Sequence, residues 1–314
     1  APAAARVEDA LAERYREAQA ACAGYVQDAG SKRERKQLRM ALTQHVQQVA
    51  ATQQQVARKA QELAAALQQL QGAPAKQAFA LLRLADVVLA QCEVQVVKLN
   101  QFAFPLAQVL VHVGRQAPPA MALLMAKLQR KCKMAVPMYL PYYKELYPSE
   151  EAYLLLQGYS KSGDGPLESA DDFFARLSGY VMLFAAILQT DRPPVGQAPP
   201  GQQPARAQLP DGEPADWGVQ QAWRWLARLL NHLPANRYTA TALDAFLKIA
   251  GWRLHQEYGR QFVKLLRFVL LDYIAELKVA EEPELAATVT RLRSYCEHRE
   301  FLQVPAGREM PFSD

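Results

Sequence analysis

The sequence predicts an all-α protein, a HEAT-like solenoid of irregular helix pairs that begins with a long N-terminal helix. Apolar residues recur at helical spacing through most of the 314 residues. No segment shows the strict alternation of apolar and polar residues that a half-buried β-strand requires. Short segments with proline or glycine separate the helices, and helices of this length bury one face only by packing on their neighbours.

The first 76 residues read as N-terminal helices. Residues 4–29 and 32–72 have helical periodicity, with a break near Gly30. The second helix is rich in alanine and glutamine and has few large apolar residues, so it needs a neighbour. We therefore predict that residues 1–76 are the end of a coiled coil leading into the array. The absence of an initial methionine suggests either a fragment of a longer protein or a processed chain.

From residue 77 onward the predicted helices become shorter and more apolar, and residues 77–314 are predicted to form one helical-repeat C-terminal domain. The helices are expected at 77–100, 103–115, 119–132, 149–157, 169–190, 217–233, 238–257, 259–279 and 283–299. Residues 191–216 are rich in proline and weakly apolar, so we predict a mobile surface loop there.

The charges are divided unevenly along the chain. Half of the residues are hydrophobic and 21% are charged, as in a folded protein. The formal net charge is +5. Residues 1–133 contain 18 Lys and Arg against 9 Asp and Glu, whereas residues 134–314 contain 18 against 22. An anionic partner is therefore expected to approach the first half.

The sequence predicts a protein that is not an enzyme. It contains no Walker loop, GxGxxG, HExxH or GxSxG motif, and its five histidines are scattered. Cys22, Cys92, Cys132 and Cys296 lie far apart without a CxxC pair, which argues against a zinc ribbon or a disulfide framework. No apolar run reaches the roughly 20 residues of a membrane span, and no direct membrane contact is expected.

Three cations at the end of one predicted helix form the candidate site. Lys127, Arg130 and Lys131 have i, i+3, i+4 spacing, which places them on one flank of the helix. Cations in a last helical turn are also favoured by the helix dipole, so a solvated helix end explains them as well. The two readings, an anion-binding site and an ordinary helix end, both remain open at this point.

Seven stretches match one family in their residues and in their order, from about residue 80 to residue 275. They are Glu93 with 102–107, 123–137 around Arg130-Lys131-Cys132, 156–159, 176–189, 222–231, 239–241 and 258–266. Together these stretches resemble the Gle-one mRNA export mediators of the nuclear pore. No single stretch is specific, but the ordered set is.

The resemblance implies a function. Members of this family are HEAT-type regulators at the cytoplasmic face of the nuclear pore complex and in the cytoplasm. They activate a DEAD-box RNA helicase, and in fungi inositol hexakisphosphate tethers the two proteins. A short motif of an FG-repeat nucleoporin docks on the C-terminal half. RNA is expected to be contacted only through the helicase.

The resemblance also implies binding residues. The basic triplet of the family falls on Lys127, Arg130 and Lys131, which are therefore predicted to bind inositol hexakisphosphate. Lys36 and Arg39, in a basic segment that aligns only loosely, are predicted to add charge to this site.

This chain departs from the fungal pattern at two positions just before Glu93. The fungal pattern has a lysine and a histidine one turn apart, where this sequence has Asp86 and Ala90. A carboxylate at residue 86 is expected to repel a polyphosphate.

Three other interpretations remain open. A helical-repeat protein that binds RNA directly would explain the basic first half, although its basic turns lack the interleaved aromatic residues that stack on bases. A translation-initiation scaffold that binds a helicase has the same charge pattern. A membrane-surface adaptor could use the basic segment 32–39.

Overall fold

A computed structural model describes residues 2–191 and 217–313 and confirms the all-α prediction. Within these residues there is no β-strand, only an isolated antiparallel bridge between Lys161 and Leu167. The predicted loop at 191–216 lies outside the described residues, except for Asp191. The α-helices are α1 Pro2–Gln27, α2 Lys32–Gln47, α3 Gln53–Gln68, α4 Pro74–Gln91, α5 Ala103–Gln116, α6 Pro118–Lys131, α7 Glu150–Gln157, α8 Ala170–Gln189, α9 Val219–His232, α10 Arg237–Tyr258, α11 Arg260–Phe268, α12 Ile274–Glu276 and α13 Leu285–Glu297.

The N-terminal helices pack directly on the helices that follow them. Helix α1 lies against α4 and α6, and α2 lies against α4. The Tyr25 ring meets the Phe79 ring edge-on at 5.5 Å, and Glu8 near the start of α1 forms an ion pair with Arg228 of α9. Helix α1 therefore crosses the array from α4 to α9.

The predicted single helix over residues 32–72 is wrong, because the chain forms α2 and α3 there. Thr52 has an extended backbone, with φ −127° and ψ 146°, and its hydroxyl accepts a hydrogen bond from the Gln55 N–H. Thr52 is thus the N-cap that begins α3 after α2 has ended at Gln47. Val49 and Thr52 are both buried at this corner.

Two of the predicted helices contain π-helical segments. The helix expected at 77–100 ends as α4 at Gln91 and continues as a π-helical segment, Cys92–Val96. The helix expected at 259–279 is divided into α11, a π-helical segment Val269–Tyr273 and α12. Such segments are frequent at functional sites, and the first of them carries Glu93.

The middle of the core is formed by α8, which packs on α10 and α5. Residues 179–189 of α8 are all buried. Trp225 of α9 stacks on Phe246 of α10 with ring centroids 4.1 Å apart, and its indole N–H donates to the Met134 carbonyl at 2.7 Å. This bond fixes the chain just after α6.

The chain end returns to α3. In residues 303–313, which we call the C-terminal strap, the carbonyls of Pro311 and Phe312 accept hydrogen bonds from the N–H groups of Gln53 and Gln54 at 2.9 and 3.0 Å. Among residues 2–191 and 217–313, no helix has the length and apolar character that crossing a membrane demands.

Candidate functional site

The three predicted cations lie at the C-terminal end of α6, whose other face is packed into the core. Met121, Leu124, Met125 and Leu128 are buried. The helix ends because Cys132 has an extended backbone, with φ −130° and ψ 105°. We call the last turn of α6, residues 127–131, the basic turn.

Lys127 is the most enclosed of the three cations, with 14% of its side chain exposed. Its ammonium group forms an ion pair with the Asp86 carboxylate of α4, which also accepts a hydrogen bond from Arg83 at 2.9 Å. Burial lowers the pKa of Lys127 to about 8, and repulsion by Arg83, Lys131 and Arg130 adds to this effect. Lys127 is therefore close to losing its charge at a mildly alkaline pH.

Arg130 is exposed and lies over an aromatic ring of α1. Its guanidinium carbon is 4.9 Å from the centre of the Tyr15 ring, and the Lys127 ammonium nitrogen is 6.0 Å from the same centre. Cation–π attraction of this kind holds a cation without neutralising it. Arg130 therefore keeps its donors available to a ligand.

Lys131 is exposed and forms an ion pair with Glu93 of the π-helical segment, at 3.1 Å. The same Glu93 oxygen accepts a hydrogen bond from the Tyr180 hydroxyl of α8. Burial, together with the Glu93 carboxylate, raises the pKa of Tyr180 well above its usual range. Tyr180 therefore remains a hydrogen-bond donor and holds Glu93 in place.

The cations outnumber the carboxylates at this site. The group, which we call the basic-turn cluster, contains Arg83, Asp86, Glu93, Lys127, Arg130 and Lys131. Its net charge is +2 with every group ionised. Glu93 offsets Lys131 and Asp86 offsets one of the two charges on Arg83 and Lys127, so the excess lies on the exposed Arg130 and is shared between Arg83 and Lys127. The cluster can therefore attract an anion to its exposed edge.

A glycine and a half-buried ion pair support the basic turn from the side of α7 and α8. Gly158 has φ +109°, and a Cβ atom there would be 3.3 Å from the Lys131 carbonyl oxygen. Arg176 donates to the Gly158 carbonyl at 2.9 Å and to both oxygens of Glu168 at 2.9 and 2.5 Å. The backbone of Lys131 is thus packed against a layer in which Arg176 and Glu168 are paired.

Lys36 and Arg39, the other two predicted site residues, are exposed on α2. Helix α2 is tied to the first turns of α4 by an ion pair of 2.7 Å between Glu34 and Lys76. Lys76 and Asp86 are ten residues apart on α4, a rise of about 15 Å. No contact joins Lys36 or Arg39 to the basic turn in the part of the chain that the structure describes.

Tyr15 and Arg83 belong to the site but were not predicted from the sequence. The helical spacing of Leu11, Tyr15 and Cys22, all buried, does signal that α1 has an apolar face. It does not signal which helix that face meets. Arg83 carries no signal of its own, because a single arginine on a helix is most often solvated.

Cys132 follows the basic turn but is not a reactive thiol. It is buried, and burial raises its pKa to about 11, so the thiol stays protonated at neutral pH. All four cysteines are free. In the described ranges, no group of three or more histidine, cysteine, aspartate or glutamate side chains could hold a metal ion.

A comparison with protein families matches residues 17–270 to the family described as GLE1-like protein. This match covers most of the chain. The chain belongs to the GLE1-like family. The resemblance to the Gle-one proteins is thereby confirmed.

Named relatives agree with this assignment. The chain is 32% identical over 232 residues to the mRNA export factor GLE1 of Rattus norvegicus, covering 73% of this chain and 31% of that protein. It is 30% identical over 208 residues to the mRNA export factor GLE1 of Arabidopsis thaliana, covering 66% and 28%. The chain thus spans about a third of the length of these GLE1 relatives.

The fold of the GLE1-like chain is also found in solved structures. One holds the S. cerevisiae Dbp5 L327V C-terminal domain bound to Gle1 H337R and IP6. The similarity has a TM-score of 0.73 at 20% identity, over 96% of this chain and 99% of that chain. The corresponding structure with Gle1 and IP6 gives a TM-score of 0.71 at the same identity. At this identity the similarity shows the all-α fold.

Proposed function

We propose that this chain activates a DEAD-box RNA helicase in nuclear mRNA export at the cytoplasmic face of the nuclear pore complex. Family membership carries the proposal, because relatives at 30–32% identity are named mRNA export factors. The similar yeast structures contain Gle1 with the Dbp5 C-terminal domain and IP6, which supports a helicase and an inositol phosphate as ligands here. In this proposal the chain acts as a regulator of the helicase.

The basic-turn cluster is the proposed site for inositol hexakisphosphate. Arg130 and Lys131 present exposed donors, and each charge-assisted hydrogen bond to a phosphate contributes about 1.5–3 kcal/mol where water is excluded. Solvent and salt reduce this contribution at an exposed edge. A polyphosphate has charge left over for cations of a second protein, so it can join the two proteins.

Asp86 and Glu93 limit how many cations the ligand can take over. Asp86 already holds Lys127 and Arg83, and Glu93 already holds Lys131. A phosphate group that approaches must share these cations with the two carboxylates and is repelled by them. The exposed Ala90, one turn after Asp86, adds no positive charge. Affinity therefore depends mostly on Arg130 and on the exposed donors of Lys131.

Helicase activation follows from differential affinity. A partner shifts a conformational equilibrium only if it binds one state more tightly than the other. The chain therefore binds the open, RNA-releasing arrangement of the two helicase lobes more tightly than the closed one. The N-terminal half and the inositol phosphate grip one lobe, and the C-terminal helices contact the other.

The C-terminal half is the proposed docking region for a short motif of an FG-repeat nucleoporin. Large apolar side chains are exposed on α11, on the following π-helical segment and near the last 3₁₀ turn. They are Val263, Phe268, Leu271, Leu302 and Val304. Exposed apolar residues of this kind suit a short peptide with apolar anchors.

The helicase ATPase rate tests the proposed function directly. The rate is measured with and without this chain, and each condition is repeated with inositol hexakisphosphate. We expect stimulation by the chain and a further rise with the ligand. A rate that the chain leaves unchanged under both conditions would contradict the activator role.

Titration calorimetry tests the ligand site separately. The variant Lys127→Ala/Arg130→Ala/Lys131→Ala should bind inositol hexakisphosphate roughly 100-fold more weakly, because three cations are lost. The control variant Arg260→Ala/Lys264→Ala/Arg267→Ala removes three exposed cations from α11 and should bind as the unchanged chain does. Equal affinities of the two triple variants would remove the basic turn from the proposal.

A further inference from the structure

Helix α2 carries four exposed cations in its first eight residues: Lys32, Arg33, Lys36 and Arg39. None of the four side chains has a hydrogen bond or ion pair to any residue that the structure describes. Lys32, Lys36 and Arg39 are spaced i, i+4, i+7, so they lie within about 60° of one another around the helix. They form a single cationic stripe, which we call the α2 stripe.

The fold does not use the α2 stripe. The residues that anchor α2 are Glu34, which binds Lys76 and the Tyr25 hydroxyl at 2.7 and 3.0 Å, and Arg35, which donates to the backbone carbonyls of Tyr25 and Asp28. Leu42 and Val46 supply the buried face. These contacts fix the rotation of α2 and leave the cations in solvent.

The stripe also brings no gain in helix stability. Lys32 and Arg33 lie in the first turn of α2, where the helix dipole favours anions and disfavours cations. The next cations, Lys36 and Arg39, add repulsion at i, i+4 and i, i+3 spacing. The positions of these four cations are electrostatically unfavourable for the helix itself. Their presence there therefore indicates a surface that meets an external anion.

We propose that the α2 stripe is a second anion-binding surface, which binds the phosphate backbone of single-stranded RNA. This direct contact goes beyond the proposed function, in which RNA is met only through the helicase. It also assigns Lys36 and Arg39 to a ligand other than the inositol phosphate. Their anchor on α4 is about 15 Å from the Asp86 end of that helix.

The chemistry of the stripe favours RNA over the other polyanionic partners. A membrane-surface helix needs a continuous exposed apolar face, and Met40 is the single large apolar residue exposed on α2. A protein interface is centred on buried aromatic or aliphatic anchors, and residues 32–47 contain no phenylalanine, tyrosine or tryptophan. Phosphates require neither feature. The same lack of aromatic side chains means that bases are not stacked, so binding is independent of sequence.

The test measures fluorescence anisotropy of a labelled 20-nucleotide poly(U) RNA with the full 314-residue chain over a range of salt concentrations. Three phosphate contacts, one for each cation of the α2 stripe, give a slope of log K against log salt of about −2, since each contact on a single strand contributes about −0.7. Lys36→Ala/Arg39→Ala should reduce the steepness by about 1.4 and weaken binding roughly tenfold near physiological salt.

The matched control is Lys264→Ala/Arg267→Ala, which removes the same two residue types at the same spacing from an exposed face of α11. It should leave both the affinity and the salt slope unchanged. Equal losses in the two double variants would overturn the proposal, because they would show a general charge effect.

Two further outcomes would also overturn it. In calorimetry, weaker binding of inositol hexakisphosphate by Lys36→Ala/Arg39→Ala would place both residues in the basic-turn site. Flotation with phosphatidylserine vesicles, lost in the same variant while poly(U) fails to bind, would show a membrane surface. Retained calorimetric affinity together with lost RNA affinity supports the α2 stripe.

Discussion

At the residue scale, three cations that look alike in the sequence have three different environments. Lys127 is nearly enclosed and paired with Asp86, Arg130 lies over the Tyr15 ring, and Lys131 is paired with Glu93. Spacing along α6 identified all three, because i, i+3, i+4 geometry is local. Which of them is free to meet a ligand depends on side chains from α1, α4 and the π-helical segment.

The pH dependence of ligand binding should report on Lys127. Its pKa is lowered to about 8, and a bound polyphosphate favours the charged form. The contribution of Lys127 to affinity is therefore complete below pH 7 and is lost as the pH rises through 8. Between pH 7 and pH 9 the affinity for inositol hexakisphosphate should fall roughly tenfold more in the unchanged chain than in Lys127→Arg, which stays charged.

The comparison with Lys127→Arg cancels the pH effect that comes from protonation of the ligand, because both proteins bind the same ligand at each pH. Calorimetry at the two pH values gives the four affinities required. Parallel pH dependence in the two proteins would mean that Lys127 does not meet the ligand.

At the element scale, the ends of the helices decide the shape of the site. Thr52 divides a segment that periodicity alone joins into one helix, and Cys132 ends α6 directly after its cations. The positive φ of Gly158 ends α7 and lets its backbone approach the Lys131 carbonyl. The presence of a helix follows from helix-forming residues repeated along a segment. Where it ends depends on single residues whose backbones leave the helical conformation, here Thr52, Cys132 and Gly158.

Gly158→Ala should lower the free energy of unfolding by about 1–3 kcal/mol, since a side chain is strained at φ +109° and crowds the Lys131 carbonyl. It should also weaken binding at the basic turn. Urea denaturation measures the first effect and calorimetry the second.

Gly163→Ala is the control for this prediction. Gly163 also has a positive φ, +55°, but a Cβ atom there would meet no atom within 4 Å. It should cost about 1–2 kcal/mol through its backbone conformation alone and leave ligand affinity unchanged. An equal cost at both glycines would show that the contact with Lys131 does not matter.

At the scale of the whole molecule, the two ends of the chain hold distant helices together. Helix α1 reaches from Phe79 to Arg228, and the C-terminal strap bonds to the start of α3. Arg308 in the strap donates to Gln189 and Asp191 at 2.8 and 2.7 Å, and its guanidinium lies 4.2 Å from the Trp252 ring centre. The strap therefore links α3 to α8 and α10.

Arg308→Ala should loosen this link and lower the free energy of unfolding by about 1–3 kcal/mol, because hydrogen bonds and a cation–π contact are lost. Hydrogen exchange should become faster at the Gln53 and Gln54 amides, which the strap protects. Arg293→Ala, which removes an exposed cation 4.0 Å from Glu297, should change neither quantity. Unaltered exchange at Gln53 and Gln54 in Arg308→Ala would show that the strap is held by other contacts.

The sequence by itself determined the all-α class, most helix positions, the three cations on one flank of α6 and the family. These properties follow from periodicity, residue type and order, which are all local along the chain. Only the tertiary structure decided that Asp86 meets Lys127, that Glu93 meets Lys131 and that Tyr15 meets Arg130, with more than 100 residues between the last two. Such contacts depend on which helix faces pack together. That packing is determined by the apolar surface buried over the entire core, which no local stretch of sequence specifies.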